Sequence, residues 1–168
     1  MKKNIISAVI AGAFFAVAGS AMAAPREAVD TATVTTSVLA TSAATVSVTP
    51  NSGSVSVDDI TTSGVEVASV DVSASGLYDG PTGADLKLAV DANHFAGGQY
   101  WKMVSGSGES FNVFVKTDWQ QNGNNVTLRT VGKTSVPTTK IVFATASGNS
   151  TVSPGDYSMP VTLSFNTW

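Results

Sequence analysis

The chain of 168 residues contains no cysteine. That excludes disulfides, thiolate nucleophiles and cysteine-based zinc sites, so packing and strand pairing must supply the stability. Histidine is nearly absent as well. His94 is the single imidazole, which leaves no Cys/His pair, and no triad is apparent, since Ser, His and acid must converge in space. Charged residues make up only 12 % of the chain, too few for long charged helices. The nine lysines and arginines are scattered and the net charge is −3, which offers no footprint for nucleic acid. No apolar run after the first twenty or so residues could cross a bilayer, which needs about 20 apolar positions.

The first residues read as an export signal. Lys2 and Lys3 open it, Ile5 to Ala18 form an apolar run, and Ala21-Met22-Ala23 supplies small residues around a cleavage point. A membrane anchor is the alternative, but the run is short, with Gly12, Gly19 and Ser20 near its edges. We therefore expect a signal peptide over 1–23 and a mature chain from Ala24. Roughly 145 residues then remain, enough for one domain with its own core.

What is abundant is Thr, Ser, Val, Ala and Gly, which favours β-structure. From Ala28 to Val48 the even positions are mostly small and apolar, with Thr or Ser dominating between them. This period of two predicts extended structure with one apolar face. It is long for one strand, so we divide it into an arm around Asp30 to Leu39 and a strand from Thr45 to Thr49, stopped by Pro50-Asn51-Ser52-Gly53.

Further strands are expected at Val65 to Val72, where a phase change between Val67 and Val70 suggests a bulge, and at Leu86 to Val90, Tyr100 to Val104, Phe111 to Lys116, Val126 to Thr130 and Lys140 to Ala144. Ser105-Gly106-Ser107-Gly108 and Gln121-Asn122-Gly123-Asn124 read as turns. In the last strand, Tyr157, Met159, Val161, Leu163 and Phe165 share one face. Short strands between turn signals, without helical periodicity or an internal repeat, indicate a β-sandwich or barrel.

Two ends sit uneasily in a closed sandwich. No strand follows Phe165, so an immunoglobulin-like fold would lack its last strand and keep an apolar groove. At the other end, the alternating arm has no evident place of its own. It could fill the groove of another copy, as in strand-addition modes of recognition, with Ala32, Val34, Thr36, Val38 and Ala40 as the donor face. It could equally pair within its own chain or form a loose leader.

The remaining chemical candidates are weak. His94, before Gly97-Gly98, reads as a loop or edge histidine, and Asp58-Asp59 as a solvated turn whose spacing matches no calcium loop. Asn125-Val126-Thr127 and Asn149-Ser150-Thr151 match the glycosylation triplet in polar turns, as chance readily allows in a Thr-rich chain. Trp101 reads as core. Trp119 lies in an expected loop, where it either packs or anchors a receptor. No catalytic, metal or cofactor residue emerges, and an enzyme is not expected.

Two stretches carry a resemblance. Ser153-Pro154-Gly155-Asp156-Tyr157 and the alternating segment after it resemble the closing segment of chaperone/usher fimbrial subunits; Gly155 is fourteenth from the end, where that pattern has glycine, while Thr167 stands where it has an aromatic. Leu86 to Val90, Asp91-Ala92-Asn93-His94-Phe95 and Gly98-Gln99-Tyr100-Trp101 are similar in order and spacing to the Dr/Afa adhesive subunits. The lack of a cysteine pair departs from Dr-type subunits and is closer to the Saf and SEF type. The resemblance implies an incomplete immunoglobulin-like sandwich over 43–168, preceded by a donor-strand extension over 24–42. It implies an acceptor groove along Gly155, Tyr157, Met159, Val161, Leu163, Phe165 and Trp168, with Trp168 closing the groove or held by its carboxylate on the chaperone. Other copies of the chain, a periplasmic chaperone, an outer-membrane usher and a host surface receptor are the partners it implies, with no cofactor and a cell-surface fimbria as the location. No receptor-contact residue follows from it. The alternative is a secreted monomeric β-sandwich, binding carbohydrate or protein, whose N-terminal strand completes its own fold.

Overall fold

A computed structural model describes residues 28–31, 38–39, 44–77 and 84–167. Within them the chain forms two antiparallel sheets facing each other across one apolar core. In chain order the strands are β1 (Ala28–Thr31), β2 (Val38–Leu39), β3 (Thr45–Ser52), β4 (Glu66–Ser75), β5 (Ala84–Ala89), β6 (Phe95–Gly97), β7 (Tyr100–Ser105), β8 (Ser110–Lys116), β9 (Gln120–Asn122), β10 (Asn125–Arg129), β11 (Ser135–Thr145), β12 (Tyr157–Ser158) and β13 (Thr162–Thr167). One helical turn, α1 (Val57–Thr61), joins β3 to β4, and a 3₁₀ turn spans Ala92–His94.

The first sheet runs β2-β1-β13-β5-β10-β9 and the second β12-β7-β8-β11-β4-β3, with β6 against β7. The succession β3-β4-β11-β8 reproduces the A-B-E-D order of an immunoglobulin sandwich, and β13 beside β5 reproduces F beside C. The protein is therefore an immunoglobulin-like β-sandwich, as expected.

Alternation in the sequence becomes alternation in burial. Ala84, Leu86 and Leu88 of β5 point inward while Asp85, Lys87 and Ala89 are partly exposed. Trp101, Val113, Ile141, Leu163 and Phe165 complete the centre. Trp101 rests 5.8 Å from the Phe143 ring and donates its indole N–H to the Gly123 carbonyl at 3.0 Å. Satisfying that one polar atom lets so large a side chain be fully buried. The expected turns form, with Gly108 and Gly123 at φ of 88° and 60° closing the β7–β8 and β9–β10 hairpins. The phase change in β4 is a bulge. Phe143 faces Ala68 while Ala144 faces Glu66, so Val67 is the extra residue, and Ser69 and Val70 are both buried.

Three expectations change. The closing segment is not one strand: β12 pairs with β7 in the second sheet and β13 with β5 in the first. Pro160 lies between them, and a residue without an N–H cannot continue a ladder. The Asp58-Asp59 turn is the first turn of α1. Ser56 caps it, accepting from the Asp59 N–H at 3.2 Å, while the Asp59 carboxylate accepts from the Ser56 N–H at 3.0 Å. The β11 strand is longer than read, spanning Ser135–Thr145 with an irregular register between Val136 and Thr139 around Pro137. Trp119 is only 6 % exposed and belongs to the core, the packing alternative of the two read for it.

Candidate strand-acceptor groove

The groove begins with β13. Val161, Leu163 and Phe165 alternate with Thr162, Ser164 and Asn166, so every second side chain enters the core and the backbone between them stays at the sheet surface. One edge of β13 is paired with β5 from Thr162 to Thr167. The other edge holds β1, antiparallel, with Ala28 opposite Phe165 and Thr31 opposite Thr162. This is the seat of the last strand, G, in an immunoglobulin sandwich. Here it is occupied by a segment from the opposite end of the sequence, which also lies against β3, the edge strand of the facing sheet.

Beyond Thr162 the line of the groove continues into a cleft of about 570 Å³ between the end of β3, α1 and the Val152 to Val161 segment. Its apolar wall includes Val55, Ile60, Val67, Met103, Phe111 and Met159. Polar groups frame the mouth. Tyr157 packs on Phe111 with ring centroids 5.3 Å apart and donates its hydroxyl to the Ser153 carbonyl at 2.9 Å. Desolvation, and then the Glu109 carboxylate 3.3 Å away, raise the Tyr157 pKa above the ordinary phenol value. The phenol therefore remains a neutral donor. At the β3 end, a Cβ on Gly53 would stand 2.1 Å from the Val67 carbonyl oxygen, so glycine permits the close approach of the two backbones there.

Two side chains hold this end together: Asn149, read from the sequence only as part of a glycosylation triplet, and Thr145, which sequence reasoning passed over. The Asn149 amide accepts from the Asn112 N–H at 2.8 Å and donates to the Asn112 carbonyl at 2.8 Å and the Ile60 carbonyl at 3.4 Å. It is a structural bridge rather than an exposed glycosylation position. Thr145, fully buried, accepts from the Val65 N–H at 3.0 Å and donates to the Thr62 carbonyl, pinning the turn after α1. Nothing in the sequence marks either residue for this bridging role. The cap is different, because Ser56-Val57-Asp58-Asp59 is a legible capping box.

Of the acceptor residues expected from the sequence, Val161, Leu163 and Phe165 lie buried along β13, while Tyr157 and Met159 are half-buried at the cleft. Gly155 sits in an exposed turn where a Cβ would meet no atom within 4 Å, so no steric reason for glycine is found. Trp168 and the donor residues Ala32, Val34, Thr36 and Ala40 lie outside the described residues; Val38 falls in β2, opposite Val29 of β1.

The chemical candidates keep structural roles. His94 Nδ1 lies 2.7 Å from the Asp91 carboxylate, which also accepts the His94 backbone N–H at 3.0 Å and so caps the 3₁₀ turn. That hydrogen-bonded side chain is the main reason the Asp91 carboxyl lies below the usual carboxylate range. Among the described residues no group of three or more His, Asp or Glu side chains could hold a metal, and no helix is long and apolar enough to cross a membrane.

No family model and no curated protein matches the chain. Seven chains of solved structures do. The chain is similar to the minor tip subunit HdaB of the E. coli Hda pilus, at 15 % identity over 69 % of this chain and 79 % of that one, with a TM-score of 0.47. It is also similar to the Salmonella SafD adhesin, at 16 % identity over 70 % of this chain and 82 % of that one, with a TM-score of 0.48.

Proposed function

We propose that the protein is a structural and adhesive subunit of a bacterial surface fimbria, built into a homopolymer by donor-strand exchange. One observation carries the reading. Among the described residues, the seat beside β13 is filled over four positions by a strand remote in sequence, and an apolar cleft continues along the same line. A donor from a neighbouring copy, entering in the register of β1, brings Ala32 beside Val161 and directs Val34 and Thr36 toward the cleft. Backbone bonds to the β13 edge then supply affinity and the alternate side chains supply specificity.

In this reading the nascent subunit is exported to the periplasm behind the 1–23 signal, a chaperone covers the seat with a strand of its own, and an outer-membrane usher admits the next subunit's arm. An uncovered apolar edge invites unspecific pairing, which is the physical need for such a cap. A host surface receptor is the final partner.

The test is to delete residues 30–40 and to follow polymer ladders on unboiled gels of the exported protein. Loss of the ladder with a folded body is expected; equal polymerisation of the truncated chain overturns the proposal. A second reading has its own support, since β1 pairs with β13 of the same chain. In it, the protein is a secreted monomeric binding module that completes itself. A stable monomer, purified without any chaperone and inert toward donor peptide, favours that reading.

A further inference from the structure

A second cleft, of about 590 Å³, opens where the two sheets part on the far side of β4 from β3. Strand β8 pairs with β11 only from Val142 to Thr145, whereas β4 pairs with β11 from Ser135 onward. Among the described residues, the Ser135 to Ile141 stretch of β11 is thus without a strand partner on its β8 side, and the chain after Lys116 turns away through Thr117 and Asp118 toward the other sheet. The gap between them is floored by Trp119, Leu128 and Val136. A strand edge on one wall, the Ser135 hydroxyl, the Thr117 hydroxyl that accepts the Trp119 N–H at 3.2 Å and the Thr139 hydroxyl that donates to the Pro137 carbonyl at 3.0 Å around it, and an apolar floor match what a sugar ring presents: hydroxyls on its rim and a C–H face.

Charge selects among sugars. Six Lys and Arg fall within the described residues, namely Lys87, Lys102, Lys116, Arg129, Lys133 and Lys140, and three of them line this cleft in a chain of net charge −3. They are not equally available. Lys116 donates to the Gly64 carbonyl at 2.9 Å, and Lys140 lies 2.6 Å from Glu66. The Lys133 ammonium has no hydrogen-bond or ion-pair partner among the described residues, and the residue is held on the rim by its backbone N–H, which donates to the Thr130 carbonyl at 2.9 Å. Asp118 adds one opposing carboxylate. The balance suits a single negative charge and disfavours a polyanion.

We propose that this cleft binds an acidic saccharide carrying one carboxylate, of the kind presented by a terminal sialic acid. The inference deepens the adhesive part of the function proposed above and rests on it. The test titrates the full ¹⁵N-labelled chain with 3′-sialyllactose, with lactose and with a heparin-derived oligosaccharide. Sialyllactose should shift the amides of Thr117, Lys133 and Thr139 saturably, and lactose should not. Lys133→Gln should weaken binding about fivefold or more, and Asp118→Asn should strengthen it, as expected for charge-assisted contacts. Both side chains are exposed, so the fold and the polymer ladder should be unchanged. That separates failure of this site from failure of assembly. Absence of saturable shifts in the cleft, equal response to lactose, tighter binding of the sulfated oligosaccharide, or indifference to Lys133→Gln would each overturn the assignment.

Discussion

Deleting Ala28–Thr31 removes β1 and, among the described residues, leaves the outer edge of β13 without a partner. Four facing residue pairs make about four inter-strand hydrogen bonds, because alternate pairs exchange two each. At about 1 kcal/mol net per bond the ladder contributes about 4 kcal/mol. Ordering four residues costs about 1–2 kcal/mol each, or about 4–8 kcal/mol in all. The ladder at best balances the ordering cost, so β1 is a displaceable occupant, and the deletion should cost no more than about 1–2 kcal/mol. For a domain of this size that is a fall in Tm of at most about 6 °C.

A synthetic peptide of residues 28–40, offered to the deleted protein, reaches further along the groove. At a hundred times its Kd it should add about 2.7 kcal/mol, a rise of about 9 °C. The same peptide with Val34→Asp should add nothing, since burying an unpaired carboxylate costs several kcal/mol. Differential scanning calorimetry reads all three states. A loss above about 10 °C on deletion would show that self-pairing is the stable end state and would refute the exchange argument. Equal effects of the two peptides would refute the groove-filling role of Val34.

Other expectations concern the end of the sandwich that frames the cleft. Asn149→Ala removes both 2.8 Å bonds to the Asn112 backbone and should cost about 2–4 kcal/mol in urea unfolding; a negligible change in midpoint would show that water replaces the amide. Gly53→Ala drives a Cβ to 2.1 Å from the Val67 carbonyl oxygen and should cost about 2–4 kcal/mol, with amide shifts confined to the β3–α1 junction; an unperturbed spectrum would contradict the close approach. The Asp59 carboxyl is held below the ordinary range, first by the Ser56 hydroxyl 2.7 Å away and then by the Ser56 N–H, with burial opposing. A depressed folded pKa means that the carboxylate's contribution is complete above the unfolded value and is lost as pH falls through the folded one. A ¹³C titration of Asp59 should therefore show a low midpoint that rises in Ser56→Ala, and the same midpoint in both proteins would rule the cap out as its cause.

The strand-forming segments and their inward faces were legible because alternation is a local property, written into neighbouring residues such as Leu86, Lys87 and Leu88. The hairpin turns at Gly108 and Gly123 were legible for the same reason, as was the β4 bulge. Even the α1 cap lies within four consecutive residues. Which sheet a strand joins is not local: Pro160 divides an apparently continuous alternation so that Tyr157 and Leu163 serve opposite sheets. Trp119 and Asn149 acquire their roles only from partners far away in sequence, the core for one and Asn112 for the other. Period-two patterning alone showed an all-β sandwich or barrel with an alternating arm, because it requires nothing beyond the next residue. That β1 lies beside β13, that an apolar cleft extends from that seat, and that Lys116, Lys133 and Lys140 converge on a second one is visible in the folded chain alone. Each of these depends on bringing together segments that the sequence holds apart.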